Sequence, residues 1–222
     1  MARWGFVSDI HGNFDALQAA AEYCCRAGVD AYVCLGDVIG RGDPERCVEW
    51  VRDHGRIAIV GNRDLDYLTR VSAPLQNVVR SWAHEAVASD FVATHGDPKL
   101  HRVLNSAAEK NGFAAVPVYL DERHARVWFF GHTHRARVWE IVDGSPRPLR
   151  DARVELSPSA HYVVNVGTTG LPLPGRGGAS FVVYDDEQRV LDVVPLHRKR
   201  ASGKPELYNT AVAEARAIVT GT

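Results

Sequence analysis

Five short apolar runs, each leading into a glycine-bearing cluster of metal-ligand side chains, constrain this chain more than any other feature. Residues 3–7 lead into Ser8, Asp9, Ile10, His11, Gly12 and Asn13. Residues 31–35 lead into Gly36 and Asp37, and residues 57–60 into Gly61, Asn62, Arg63 and Asp64. Residues 91–94 lead into His95, Gly96 and Asp97, and residues 127–130 into Gly131, His132, Thr133 and His134. Runs of four or five aliphatic, β-branched or aromatic residues read as buried strands. In open α/β sheets, ligands sit beyond the carboxyl ends of the strands. Five such ends, supplying two aspartates, an asparagine and four histidines, predict one converging metal site.

Spacing supports that convergence. Asp9 and His11 are two residues apart, as are His132 and His134. In a strand, residues i and i+2 share a face, so each pair is expected to reach one ion. Asp37 follows a strand directly, where its two carboxylate oxygens could bridge two ions. Asn62 offers a neutral amide oxygen and His95 a further imidazole. Nitrogen and oxygen donors without thiolate favour Mn, Fe, Zn, Ni or Co over Ca or Mg. Asp9, His11, Asp37, Asn62, His95, His132 and His134 are more ligands than one ion needs. Two divalent transition-metal ions, roughly 3.5–4 Å apart, fit better.

The bulk numbers place few limits on the rest. At 222 residues, with 45% hydrophobic and 24% charged residues, the chain is long enough for a full core and ordinary in composition. A net charge of −1 gives no strong signal for nucleic acid or an anionic membrane. No apolar stretch approaches the ~18 residues of a membrane span, and Met1-Ala2-Arg3 leads straight into a strand rather than a signal segment. A cytoplasmic location is the expectation. Cys24, Cys25, Cys34 and Cys47 form no C-x-x-C pair, and Cys24 and Cys34 read as small buried hydrophobes.

The first 65 residues alternate strand and helix. Asn13 and Asp43 are candidate N-caps, and Pro44 sits at the first helical position. Helical stretches are expected over residues 69–89 and 99–110, with a charged loop over 121–126. After His134 the chain turns mostly to β: strands are expected over 136–142, 161–166, 179–184 and 190–194. Asp143-Gly144, the prolines at 146, 148 and 158, and residues 171–178 separate them. The pattern predicts a mixed α/β (α+β) fold in which a more antiparallel sheet stacks on the first. We expect one domain over residues 1–196. A basic tail, Arg198-Lys199-Arg200, opens the segment 197–222, with a terminal helix over 206–219.

SDIHGN, LGDVIGRG, VGNRD, THGDP and FGHTH, in that order, resemble the motifs of the calcineurin-like metallophosphoesterases. HYVVNVGTTGLPLPGRGGASFVVYD resembles the C-terminal segment of their small bacterial phosphodiesterase-like branch, with Val166 and Thr168 replacing the usual Pro and Ser. The resemblance spans about residues 3–195. It implies a four-layer αββα sandwich of two mixed sheets, with a dinuclear site at strand carboxyl ends. It places Asp9, His11, Asp37 and His134 on a first metal, and Asp37, Asn62, His95 and His132 on a second. The implied reaction is hydrolysis of a phosphodiester or nucleotide phosphoanhydride by a bridging hydroxide. Phosphoprotein or phosphomonoester phosphatase activity is an alternative. A non-catalytic scaffold is another, since the retromer subunit shares the fold.

One departure bears on chemistry. Most family members carry histidine after the Gly-Asn pair, near the leaving oxygen; here that residue is Arg63. An arginine stays charged and cannot donate a proton near neutral pH. With Asp37, Asn62 and Asp64 as the other catalytic candidates, this predicts a preference for leaving groups that need no protonation. Arg63 is expected either to clamp a phosphoryl oxygen or to lie solvated at the rim. Asp64 is expected to pair with Arg63 or His95, or to cap the next segment. Arg41 is a candidate phosphate contact or a plain loop arginine. Asn13 is expected beside the substrate phosphate, compatibly with capping a helix. The partner implied is a small phosphoester or nucleotide, selected by loops such as 69–77, 98–119 and 171–178; oligomeric state is left open.

Overall fold

The structure, a computed structural model, describes residues 2–96, 113–199 and 207–210. The expected helix over 99–110 lies outside the described residues. Two mixed sheets stack face to face. The first runs β13(Leu207–Thr210)-β12(Val190–Lys199)-β11(Ala179–Asp185)-β1(Arg3–Val7)-β2(Ala31–Cys34)-β3(Gly55–Ala58), and β9(Arg153–Glu155) also pairs with β12. The second runs β4(Glu85–Ala88)-β5(Phe91–Thr94)-β6(Val127–Phe130)-β10(His161–Asn165)-β7(Arg137–Val142)-β8(Ser145–Leu149). β1, β2 and β3 pair in parallel, as do β5, β6 and β10. Their carboxyl ends, which carry the ligand clusters, therefore share an end of each sheet.

Alternation along the strands builds the layers. In β6, Val127 and Phe129 enter the core between the sheets, while Trp128 and Phe130 pack outward against α5(Val116–Asp121). All four are buried, as expected of a strand covered on both faces. Phe6 of β1 stacks on Phe129 across the sheets at 3.9 Å between ring centroids. On the outer face of the first sheet lie α1(Phe14–Arg26), α2(Pro44–His54) and α4(Ala73–Arg80), which bury Leu17, Val48, Val51 and Leu75. A short helix, α3(Asn62–Asp66), follows β3. This is the αββα sandwich expected from the motifs. Asn13 and Asp43 cap α1 and α2 as anticipated, each side chain accepting a backbone N–H three residues on.

Several local expectations are corrected. The helix expected over 69–89 ends at Arg80, and Glu85–Ala88 forms β4, because Ala86 and Val87 pair with Ala93 and Val92 of β5. Pro146 and Pro148 lie inside β8 rather than separating strands. β8 is an edge strand, where a proline's missing N–H interrupts no ladder on its open side. α5 occupies part of the expected 98–119 loop. The first sheet also continues past residue 196. β12 extends to Lys199, and Leu207–Thr210, within the expected terminal helix, pairs with it antiparallel; edge pairing there outweighs local helical spacing. Residues 211–222 lie outside the described residues. Among the described residues, no helix is long and apolar enough to cross a membrane.

Candidate metal centre

The loops after β1 and β2 keep pairing beyond the strands. Asp9 N–H donates to Gly36 O (2.9 Å), His11 N–H to Asp37 O (2.9 Å) and Gly12 N–H to Val38 O (2.8 Å). In this ladder, and in the loop after β6, the backbone turns left-handed. Asp9 (φ 51°), His11 (φ 50°), Asp37 (φ 53°), His132 (φ 64°) and His134 (φ 58°) all have positive φ. The i, i+2 convergence of Asp9 with His11 comes from these left-handed residues, not from the strand pleat, and His132 and His134, expected to reach one ion, instead part to different donor groups. Such conformations are uncommon for non-glycine residues and gather at functional sites.

Two donor groups result. In one, His134 Nε2 lies 3.1 Å from Asp9 Oδ1 and 3.2 Å from His11 Nε2, and His11 Nε2 lies 3.9 Å from Asp9 Oδ1. In the other, His95 Nε2 lies 3.5 Å from Asp37 Oδ1, 3.3 Å from Asn62 Oδ1 and 3.2 Å from His132 Nδ1; that His132 Nδ1 is 3.1 Å from Asn62 Oδ1. Asp9, His11 and His134 could hold one ion, and Asp37, His95 and His132 another. The other oxygen of Asp37, Oδ2, faces His11 Nε2 at 3.8 Å. All seven predicted ligand residues therefore meet at one place.

The donor set fits cations. Among the described residues, Asp9 Oδ1 is buried without a hydrogen-bond donor. His95 Nδ1 faces Leu35 O and His134 Nδ1 faces Leu171 O, each at 2.7 Å. A proton held on Nδ1 by a carbonyl leaves the Nε2 lone pair for a metal. The charge balance points the same way. Burial raises the Asp9 carboxyl, but His134, His95 and the Ser8 hydroxyl outweigh it and hold Asp9 down at about 2. Burial lowers His95, yet Asp37 and Asp9 lift it to about 9; the Asp9 pairing likewise lifts His134 against its burial. For His11, burial wins and the value falls despite both carboxylates. Carboxylates that hold a proton this strongly on a neighbouring imidazole offer the same attraction to a divalent ion.

Surrounding residues fix the donors. Asp9 Oδ2 accepts from Ser8 Oγ (2.6 Å) and from the His132 N–H (2.8 Å). Gly131 packs against this pair so closely that a Cβ would lie 2.5 Å from Asp9 Oδ2 and 1.9 Å from Ser8 Oγ. Asn165, at the end of β10, was not singled out from sequence. Its amide donates to Gly131 O (3.0 Å) and Thr133 Oγ1 (2.7 Å). Thr168 Oγ1 donates to Asp9 O at 2.8 Å. The N-V-G-T-T run after a buried strand was the available signal for both.

The remaining predicted residues are placed as follows. Asp64 is fully buried and meets neither Arg63 nor His95 through a hydrogen bond. Its carboxylate instead accepts the N–H groups of Asp37 (2.9 Å), Val38 (2.7 Å), Ile39 (2.9 Å) and Gly61 (2.8 Å). Burial pushes this carboxyl up to about 7 against the pull of those donors. Asp64 is thus a positioning residue and is out of a substrate's reach. The Arg63 N–H donates to Asp37 Oδ1 at 2.7 Å, while its guanidinium pairs with Asp66 at 3.1 Å on the surface. Arg41 is exposed on the loop after β2; Arg70 ties that loop by donating to Gly40 O at 3.0 Å. The Asn13 amide donates to Gly170 O (2.8 Å) and its oxygen accepts the Ala16 N–H (3.2 Å), so both ends of that amide serve the scaffold.

The sequence matches the calcineurin-like phosphoesterase superfamily domain over residues 3–189. The chain belongs to that superfamily. An uncharacterised protein of Methanocaldococcus jannaschii is 25% identical over 217 residues, covering 85% of this chain and 84% of the relative. A metallophosphoesterase from Sphaerobacter thermophilus is 23% identical with a TM-score of 0.67, each chain covered to 86%. A structure described as a novel archaeal phosphodiesterase is 19% identical with a TM-score of 0.55, covering 87% of this chain and 99% of its own. These structures establish the shared fold; the donor geometry above carries the chemistry.

Proposed function

We propose that this superfamily member is a two-metal phosphoesterase hydrolysing phosphodiesters or nucleotide phosphoanhydrides. Asp9, His11, Asp37 and His134 would hold one ion, and Asp37, Asn62, His95 and His132 the other. The observation that carries this reading is the Asp37 carboxylate. Oδ2 faces His11 at 3.8 Å and Oδ1 faces His95 at 3.5 Å, so one side chain addresses both donor groups. A mixed nitrogen and oxygen donor set suits Mn, Fe, Zn, Ni or Co. Such an ion pair, when bound, supplies a nucleophilic water oxygen near neutral pH and offsets phosphoryl charge. The protein holds the donors in place through Asp64, Asn165 and Thr168 and leaves the His11 side open towards a cavity.

No imidazole follows Asn62, and the Arg63 guanidinium cannot donate a proton at neutral pH. The reading therefore favours substrates whose leaving group departs unprotonated. Arg63 and Arg41 remain proposed phosphate contacts, since both side chains are exposed and long enough to swing. A bare scaffold would have no need of a complete donor set, which disfavours the non-catalytic alternative. The test is metal content and turnover of a phosphoester panel after loading with Mn, Fe, Co, Ni, Zn or Mg. Roughly two ions per chain, and loss of both metal and activity in Asp37→Asn, are expected. An Asp37→Asn protein that keeps full activity overturns the reading.

A further inference from the structure

A cavity of about 360 Å3 opens beside the donor groups and shares His11 with them as a wall. Phe14, Asp15, Asp43, Arg46 and Leu171 form much of the remainder. The Arg46 guanidinium lies 3.9 Å over the Phe14 ring, and a guanidinium on an aromatic face makes a flat platform on which another planar group can stack. The volume lies in the range of small-molecule sites, roughly 300–1,000 Å3, and is far more than a lone phosphate needs. Charge limits the occupant. Among the described lining residues, Asp15 and Asp43 are acidic and Arg46 is the single lysine or arginine; it lies 3.8 Å from Asp43. A second phosphate in the cavity would meet a net negative wall whose cation is already engaged, whereas hydroxyl or amino donors would find carboxylate acceptors.

We propose that this cavity takes the organic ester group that stays on phosphorus in a phosphodiester whose other ester group departs unprotonated: an uncharged, planar group with hydrogen-bond donors, of which a nucleoside is representative. Phe14 and Arg46 stack it, Asp15 receives its donors, and phosphoanhydrides are disfavoured. The proposal rests on the two-metal reading and narrows it from phosphodiester or anhydride to phosphodiester.

The test is calorimetric binding to the manganese-loaded protein, with inorganic phosphate, thymidine 5′-methylphosphate and thymidine 5′-diphosphate as probes. Stacking on one platform should make the nucleoside diester bind roughly tenfold tighter than phosphate. Phe14→Ala should erase that margin and leave phosphate affinity unchanged. Asp15→Asn should improve diphosphate binding relative to the diester. Arg46→Ala, at an exposed position, repeats the stacking test without a buried truncation in case Phe14→Ala fails to fold. Equal binding of diester and phosphate by the unaltered protein overturns the cavity assignment alone, as does equal weakening of both by either stacking variant. Failure of phosphate itself to bind, with no manganese retained, overturns the two-metal reading and this proposal with it.

Discussion

Asp64 holds Asp37 by its backbone: Asp64 Oδ2 accepts the Asp37 N–H at 2.9 Å while the same carboxylate gathers Val38, Ile39 and Gly61. One buried side chain thereby clamps the loop after β2 to the loop after β3, which carry Asp37 and Asn62. Asp64→Asn keeps the shape but turns an NH2 towards two of those N–H groups. Leaving buried donors unsatisfied costs about 1–3 kcal/mol each. We expect the midpoint of thermal unfolding to fall by roughly 5–15 °C, with metal stoichiometry reduced in parallel. An unchanged melting curve would show that the clamp is dispensable.

Gly131 supports Asp9 by what it lacks. A methyl group there would overlap Ser8 Oγ and approach Asp9 Oδ2 to 2.5 Å, and both belong to the buried donor shell. Gly131→Ala must push the loop after β6 away from the loop after β1, separating His132 and His134 from Asp9. Loss of metal from the Asp9 group, measured by elemental analysis of the purified protein, is the expected outcome. Gly175→Ala serves as the comparison, because nothing among the described residues lies within 4 Å of a Cβ there. Its positive φ of 73° should cost some stability but no metal.

The strand ends were legible because apolar runs, glycine closures and ligand chemistry coincide in sequence. What brings the ligands together was not. Pleat alternation paired Asp9 with His11 rightly but through the wrong geometry, since the left-handed turns there come with backbone pairing between the loops after β1 and β2; it paired His132 with His134 wrongly, because the two enter different donor groups. Asp64 reads as a charge beside Arg63, and only the fold brings four N–H groups to it from two separate places along the chain, residues 37–39 and Gly61. β4 falls inside the helical stretch expected over 69–89; the edge of β5 decides otherwise. The Phe14–Arg46 platform joins two helices thirty-two positions apart, beyond any local pattern.

The four cysteines should separate by reactivity. Cys24, Cys34 and Cys47 are buried and Cys25 is exposed. Burial pushes the Cys24 and Cys47 thiols up to about 12, and Cys34 further up still. The thiolate is the reactive form, so raised values leave almost none of it at pH 8. A disulfide reagent should titrate one thiol rapidly in the native protein and four after unfolding. Rapid reaction of two or more native thiols would contradict the packing of α1 and α2 on the first sheet.

Arg63→His tests why this chain should prefer good leaving groups. The Arg63 guanidinium pairs with Asp66, an exposed contact worth little to stability. Its backbone N–H donates to Asp37 Oδ1, a bond that the substitution retains. Stability and metal content should therefore be nearly unchanged. A histidine at this position adds a group that can donate a proton near pH 7, and general-acid assistance contributes typically 10²–10⁴-fold. Only alkoxide leaving groups need that help. We expect turnover of an alkyl phosphate ester to rise by about tenfold or more, with a new dependence on a group titrating near pH 6–7. Hydrolysis of bis(4-nitrophenyl) phosphate, whose phenolate leaves unaided, should change little. If both substrates shift together, Arg63 contributes to substrate binding rather than standing in place of a proton donor.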